Sequence, residues 1–376
     1  MSNDSKEKIM NVDFFDLCWE ATKRGEGLYD RERIKRLIAR CAEEDFDALH
    51  WRVSVCGKVA YHSKVMTVFD GEYRLCANPL AQVLKRFDPL EVGARYARKY
   101  GLRIYPWVTL FDSYFVGLED RFFASHPEYL LMSRDGSQVL RGVPCYAYPE
   151  VREYRLVEAK ELMDYDVDGI MYCAHNSHTG LTIVSGEPDG EDIFGYNPPV
   201  VEAFKERYGV DILKEDFDRE AWYKLLGEFL TQYLKEVRGE LNKRGKEMVV
   251  AVKRGEYAIG GVYPRAKIHL DWRRWAQEQI VDGLIFPVAY GVDNTTPEDD
   301  IRSIEGYRSE LDRRCRLYVW YTVWTSHATP SEVRRVVSGV RESHLDGIVF
   351  HEAATFEFGR EELWELTRKL RLCSQK

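Results

Sequence analysis

The sequence lacks the features that mark several large classes of protein. Its 376 residues contain no apolar run near the roughly 20 residues that span a bilayer. The first ten residues, MSNDSKEKIM, are polar and contain no signal-peptide core. The net charge of −8 comes from interspersed acids and bases, which argues against nucleic acid or an anionic membrane as the main partner. These absences predict a cytoplasmic protein. They do not indicate whether it is a monomer or an oligomer.

Short motifs for redox, metal or nucleotide sites are absent as well. The eight cysteines include no C-x-x-C pair, which excludes zinc-ribbon and thioredoxin-like sites and favours reduced, mostly buried thiols. No G-x-G-x-x-G motif follows the first apolar run, and no H-x-H or H-E-x-x-H pattern occurs. We therefore expect neither a cofactor nor a metal.

What is present is an alternation of short apolar runs and amphipathic stretches. Eight runs are expected as strands, most of them apolar on both faces. They lie at 13–19, 48–55, 103–111, 168–174, 248–252, 282–290, 316–324 and 346–353. Between them, apolar residues recur at helical spacing, as in Ile34, Leu37, Ile38 and Cys41. Eight strand–helix units close most simply as a (β/α)8 TIM barrel, and a doubly wound open sheet is the alternative.

The same pattern predicts one catalytic barrel domain over about 10–370, after a polar tail at 1–9. Asp-Gly pairs lead into three of the runs, at Asp168, Asp282 and Asp346, and these acids are expected to be structural. The connections after the third and fourth strands, 112–148 and 175–218, are long. Connections of more than about 12–15 residues are uncommon in compact domains. Both leave the carboxyl ends of strands, where barrel enzymes place their active sites.

Several segments resemble a known group of barrel proteins. These segments are HPEYLLMSRDG (126–136), PEVREYRLVEAKELMDYDVDGI (149–170), FGYNPPVVEAFKERYGVDI (194–212) and the third strand, GLRIYPWVTLFD. They resemble the barrels described as "family 10-like glycosyl hydrolases", over about residues 100–270. The resemblance implies a (β/α)8 barrel that acts on glycosides, but a fold alone does not define a substrate.

The fourth strand departs from that group. Its relatives often read DGI-x-x-D-D-Y at this point, whereas Cys173 and Ala174 occupy the places of the two acids. If the resemblance holds, the catalytic acid comes from another strand end. The chemistry would otherwise differ, or the chain would bind sugar without cleaving it.

Hydrolysis of a glycoside needs two carboxyl groups beside the bond that breaks. Glu352 is the first choice, because an acid inside the apolar stretch VFHEAATF needs a reason to be buried. Asp112, at the end of the third strand, is the second choice, and Glu256 is held in reserve. The structural alternative for Glu352 is an ion pair with a barrel arginine such as Arg52 or Arg254. The alternatives for Asp112 and Glu256 are a cap or turn and a solvated loop position.

A second set of residues is expected to bind the substrate. His50 and Arg52 are two residues apart on one strand and are expected to face the barrel interior, where Arg52 would hold a carboxylate. His175 shares the parity of Cys173, and aromatic rings at strand ends suit the faces of sugars. The full set is His50, Arg52, Trp19, Glu20, Trp107, Cys173, His175, Asn176, Tyr290, Trp320, Trp324 and His351.

The leading hypothesis is therefore a hydrolase of a small oligosaccharide or glycoside, in which His50, Arg52, His175 and Glu352 meet in one cavity. A metal-dependent sugar isomerase or lyase is a second hypothesis, because ligands spread over strand ends leave no local motif. Its ligands would be acids and the histidines His50, His175, His178 and His351. A carbohydrate-binding barrel without catalysis is the third hypothesis.

Overall fold

The computed structural model describes residues 6–71, 77–112, 118–174, 192–253, 257–258, 266–288, 296–312, 314–323 and 328–368. Eight parallel strands in these residues form a closed barrel. Each strand pairs with the next in the chain, and the last pairs with the first, which confirms the expected (β/α)8 barrel. The strands are β1 (Glu7–Val12), β2 (Ala48–Arg52), β3 (Arg103–Thr109), β4 (Gly169–Cys173), β5 (Glu247–Ala251), β6 (Gly283–Pro287), β7 (Arg316–Thr322) and β8 (Gly347–His351).

Helices cover the outside of the barrel. In the described residues they are α1 (Phe14–Lys23), α2 (Arg31–Glu43), α3 (Ala77–Leu84), α4 (Pro89–Tyr100), α5 (Arg121–Ser125), α6 (Pro149–Met163), α7 (Pro198–Tyr208), α8 (Arg219–Lys243), α9 (Trp272–Gln277), α10 (Pro297–Gly306), α11 (Pro330–Glu342), α12 (Ala353–Phe358) and α13 (Glu361–Arg368). The stripe predicted on α2 is buried. None of the described helices is long and apolar enough to cross a membrane.

The expected first strand at 13–19 is wrong, because these residues begin helix α1. Asp13 caps that helix: its Oδ1 accepts hydrogen bonds from the amides of Phe15 and Asp16, at 3.1 and 3.4 Å. The apolar residues that suggested a strand recur at helical spacing, and Phe14, Leu17, Cys18 and Ala21 are buried on one face. The barrel begins instead at Glu7, inside the segment expected as a polar tail.

The acids of the Asp-Gly pairs have the structural role that was expected. Each accepts a hydrogen bond from the second residue of the preceding strand, and Asp47 does the same before β2. The bonds join Asp47 to Lys8, Asp168 to Ile104, Asp282 to Met248 and Asp346 to Leu317, at 2.6–2.8 Å. Every second strand is thus tied at its amino end to the strand before it.

Four charged residues of alternating sign close the amino end of the barrel. Arg103 lies 2.8 Å from Glu7 and 3.8 Å from Glu247, and Arg316 lies 2.6 Å from Glu247 and 4.0 Å from Glu7. The hydroxyl of Tyr105 donates to Glu247, at 2.5 Å. Because each charged group has two partners of opposite sign, these four side chains tolerate partial burial.

Glycine is needed at position 169, in the Asp-Gly pair that lies next to these charged residues. A Cβ atom on Gly169 would lie 2.2 Å from the carbonyl oxygen of Glu247 and 2.8 Å from the ring of Tyr105. Such distances are far below van der Waals contact, so only glycine allows β4 to approach β5 this closely.

Gly169→Ala should therefore lower the free energy of unfolding by about 1–3 kcal/mol, the usual cost of overpacking a rigid core. Gly239→Ala is the matched control, because it lies in helix α8 and its added Cβ meets nothing within 4 Å. That variant should gain roughly 0.5–1 kcal/mol. Urea denaturation of both proteins checks the expectation, and equal stability of the two variants would contradict it.

Candidate active site

A cavity of about 770 Å³ opens at the carboxyl end of the barrel. Its walls come from the ends of β2, β3, β7 and β8 and from helices α1 and α12. Seven of the residues expected at the site line it: Trp19, Glu20, Arg52, Trp107, Trp320, His351 and Glu352. The prediction that the site lies on this face of the barrel therefore agrees with the position of the cavity.

Helix α1 supplies one acidic wall of the cavity. Asp13, Asp16, Glu20 and Arg24 recur at helical spacing, and all four line the cavity. Asp13 and Asp16 were missed in the sequence, because the segment was interpreted as a strand. The pattern that indicates a helix start here is D-x-x-D directly after the mostly apolar IMNV. It places one acid at the N-cap and another three residues later.

Arg52 joins this helix to the barrel. Its Nη1 lies 2.5 Å from Oδ2 of Asp13, and its Nη2 lies 3.5 Å from Oδ2 of Asp112. Its guanidinium also lies over the ring of Trp107, at 5.2 Å from the centroid. Although burial opposes the charge, Asp13 and Asp112 raise the pKa of Arg52, so the side chain is a cation. Arg52 thus holds two protein carboxylates.

Asp112 lies next to Arg52. It is fully buried and is not among the residues that line the cavity. The structure therefore places this expected catalytic acid where it supports Arg52, with no direct access to a substrate.

Glu352 and Asp16 form a carboxyl pair at the inner end of the cavity. Burial raises the pKa of Glu352 well above its usual value, and the neighbouring charges of Asp16 and Asp13 raise it further. Burial also raises the pKa of Asp16, to about 6, while its hydrogen bond with Glu352 opposes that rise. We infer that Glu352 holds the proton and donates it in a hydrogen bond to Asp16.

The same carboxylates are close enough together to be considered as ligands of a metal ion. One oxygen each of Asp13, Asp16 and Glu352 lies within 4.8 Å of the others. However, the oxygens of Asp13 already accept hydrogen bonds from Arg52 and from the first amides of α1. The positive charge of Arg52 also disfavours a second cation nearby. This donor set fits a shared proton better than a divalent ion.

Three aromatic rings form the floor of the cavity. The ring of Trp107 meets that of Trp320 edge to face, with centroids 5.2 Å apart. The ring of His351 lies 4.9 Å from Trp320 and 5.7 Å from Trp107. Trp107 and Trp320 are only 2% and 5% exposed, so these rings close the inner end of the cavity next to the carboxyl pair. Trp19, which also lines the cavity, is partly exposed, and its ring suits the apolar face of a sugar.

His50 and Cys173 do not line the cavity, contrary to expectation. His50 lies deeper in the barrel, where its Nδ1 is 3.0 Å from Oδ1 of Asn11 and its ring contacts Tyr105. Burial, together with the charges of Arg103 and Arg316, lowers the pKa of His50 to about 3, so the ring is neutral. Cys173 is fully buried among apolar side chains of the barrel interior. Inward orientation on a strand places a residue in the barrel, but its depth decides whether it reaches the cavity.

Five of the expected residues lie outside the described part of the chain. They are His175, Asn176, Glu256, Tyr290 and Trp324, and the possible metal ligand His178 lies outside it as well. Their contributions to the site stay predictions.

No protein-family model matches the chain, and no curated protein matches it in sequence. Its structure is similar to the catalytic domain of a β-amylase from Paenibacillus polymyxa, with a TM-score of 0.60 and 10% identity over 99% of both chains. It is also similar to a β-galactosidase from the psychrophilic Marinomonas ef1, with a TM-score of 0.56, 11% identity and coverage of 92% of this chain and 54% of the other. An endo-β-1,4-mannanase from Thermotoga petrophila matches with a TM-score of 0.51 and 11% identity, over 93% of this chain and 68% of the other.

At these identities the comparisons show a shared fold. The chain shares the (β/α)8 barrel fold of these three enzymes and has a cavity lined by carboxylates and aromatic rings at the carboxyl end of the barrel. The narrower resemblance to the family 10-like group stays an expectation.

The raised pKa of Glu352 should make the stability of the protein fall as pH rises. Below the usual glutamate pKa of 4.5, both the folded and the unfolded chain are protonated, and the side chain carries no penalty. Above it, only the unfolded chain releases the proton, so the free energy of unfolding decreases. Glu352→Gln removes this dependence, and its Tm should exceed that of the wild type by about 1–3 °C at pH 8 and by less at pH 4.5.

Thermal unfolding across this pH range measures the difference. Glu342→Gln is a suitable control, because that glutamate is exposed on α11 and should change Tm equally little at both pH values. A Glu352→Gln protein that is less stable than the wild type at pH 8 would show that the acid is ionised in the folded state.

Proposed function

We propose that the protein is a glycoside hydrolase and that Glu352 donates the proton to the leaving oxygen of the glycosidic bond. The observation that carries the proposal is the position of Glu352, a buried carboxyl group at the end of β8 that lines the cavity and has an oxygen within 4.8 Å of oxygens of Asp16 and Asp13. Burial and these neighbouring charges raise its pKa. The similarity of the fold to barrels of glycoside hydrolases supports the proposal at the level of reaction class.

An alkoxide is a poor leaving group, so cleavage of a glycosidic bond depends on a proton donor that stays protonated near neutral pH. Burial keeps the proton on Glu352 under these conditions. Once the proton has left, the ionised Glu352 would face the charges of Asp16 and Asp13, which favour rapid return of a proton from water. The cation of Arg52 limits this repulsion and keeps Asp13 in place.

The cavity limits what the substrate can be. Its volume of about 770 Å³ is within the range of small-molecule sites, roughly 300–1,000 Å³. Trp19, which is partly exposed and lines the cavity, provides an apolar surface on which a sugar ring can stack. Because Nη1 and Nη2 of Arg52 already have carboxylate partners, Arg52 positions the acids instead of binding the substrate. A small oligosaccharide or glycoside is therefore the substrate class that we propose.

The close approach of three carboxylates favours one second candidate, a metal-dependent isomerase or lyase that acts on a sugar. In that case activity would depend on a bound divalent ion, and the proton on Glu352 would be displaced by it. A sugar-binding protein without catalysis would instead show binding but no turnover.

The test is hydrolysis of a panel of nitrophenyl and dinitrophenyl α- and β-glycosides, together with unactivated disaccharides. Glu352→Gln should lower kcat on an unactivated substrate on the order of 100-fold or more, because it removes the positioned acid. The loss should be much smaller on a 2,4-dinitrophenyl glycoside, whose leaving group needs little protonation. Equal losses on both substrates would contradict a role as the proton donor.

Two controls separate the alternatives in the same assay. Glu357→Gln changes another glutamate of helix α12, which does not line the cavity, and should leave both rates unchanged. Hydrolysis should persist in excess EDTA, whereas loss of activity in EDTA and its recovery with a divalent metal would favour the second candidate.

A further inference from the structure

We propose that Glu20 is the general base of this site and that hydrolysis proceeds in a single displacement with inversion at the anomeric carbon. The inference rests on the proposed function, to which it adds the second catalytic carboxylate and the stereochemistry. It derives from the way helix α1 presents its acids along the cavity.

Asp16 and Glu20 are four residues apart on α1, and both line the cavity. Residues at this spacing lie on the same helix face, with their Cβ atoms about 5–6 Å apart. An oxygen of Asp16 lies within 4.8 Å of an oxygen of Glu352. Glu20 lies one helical turn beyond Asp16 on α1, which is roughly 5.4 Å along the helix axis.

This offset decides between the two geometries of glycoside hydrolysis. Retaining enzymes place their carboxyl groups about 5–5.5 Å apart, whereas inverting enzymes need about 6.5–9.5 Å to admit a water molecule. Glu20 is not part of the cluster in which oxygens of Asp13, Asp16 and Glu352 lie within 4.8 Å of one another. Its position one turn beyond Asp16 therefore favours the wider separation from Glu352.

The other acids of the cavity are less suited to act as the base. Both oxygens of Asp13 accept hydrogen bonds from Arg52 or from the amides of α1. An oxygen of Asp16 lies within 4.8 Å of an oxygen of Glu352, which is closer than the two carboxyl groups that flank a sugar in either mechanism.

Glu20 differs in its surroundings, because its side chain is 27% exposed. Its ion pairs with Lys23 and Arg24 span 3.5 and 3.6 Å. Exposed pairs of this kind contribute little and are easily rearranged, so the carboxylate can turn to accept a proton from water.

The proposed step balances without any further reactant. A water oxygen attacks the anomeric carbon as its bond to the glycosidic oxygen breaks. Glu20 accepts one proton of that water, and Glu352 gives its proton to the departing oxygen. The products are a sugar of inverted configuration and a free alcohol, and the two carboxyl groups exchange protons with solvent to restore the starting state.

The configuration of the first product tests the proposal in the unmodified protein. Proton NMR of wild-type hydrolysis should show the opposite anomer to that of the substrate before mutarotation sets in. Retention of configuration would overturn the inference while leaving the glycoside hydrolase in place. Absence of hydrolysis across the whole glycoside panel would overturn both.

Glu20→Gln supplies the second measurement. It should lower kcat on the order of 100-fold or more on dinitrophenyl and unactivated substrates alike, because attack by water is needed for both. Glu32→Gln is the matched control, an exposed helical glutamate that is likewise paired with a lysine at i+3, and it should react at the wild-type rate. Wild-type turnover by a folded Glu20→Gln protein would overturn the assignment.

Discussion

The ion pair between Asp13 and Arg52 joins the first helix to the second strand of the barrel. Asp13 also caps that helix, so one carboxylate sets both where α1 begins and how its acidic face meets the cavity. Arg52 is anchored on its other side by Asp112 and lies over Trp107. The positions of Asp16 and Glu20, and the contact of Asp16 with Glu352, all depend on this junction. A buried pair of this kind is costly to break, because the remaining charge would have no partner.

The two ends of the barrel differ in how well their charged groups are paired. At the amino end, Glu7, Arg103, Glu247 and Arg316 alternate in sign and neutralise one another around a closed ring. At the carboxyl end, Glu352 lies close to Asp16 and Asp13, and these neighbouring charges, together with burial, raise its pKa although Arg52 opposes the rise. The amino end supports the barrel, whereas the carboxyl end contains the carboxyl group that we propose as the proton donor. Local departures from good charge pairing are typical of functional sites.

The aromatic floor and the carboxyl pair belong to different strands but meet because the barrel closes. Trp107 lies on β3 and Trp320 on β7, and their rings touch across the interior. His351 lies on β8, next to Glu352, and completes the floor. The floor therefore lies beside the acid at the end of β8. No single segment of the chain contains more than a part of this site.

The sequence by itself determined the (β/α)8 architecture, the face that carries the site and the candidacy of Glu352, because apolar periodicity and an isolated buried acid are local signals. Residues 13–19 were predicted as a strand, whereas they form the cap and first part of helix α1. Hydrophobicity alone does not distinguish such a helix start from the end of a strand. Tertiary structure alone decided that Asp13 and Asp16 join the site, that His50 lies too deep to do so and that Asp112 is buried beside Arg52. Depth in a barrel depends on strand stagger, and the pKa of an acid depends on neighbours from distant segments, so neither can be obtained from spacing along the chain.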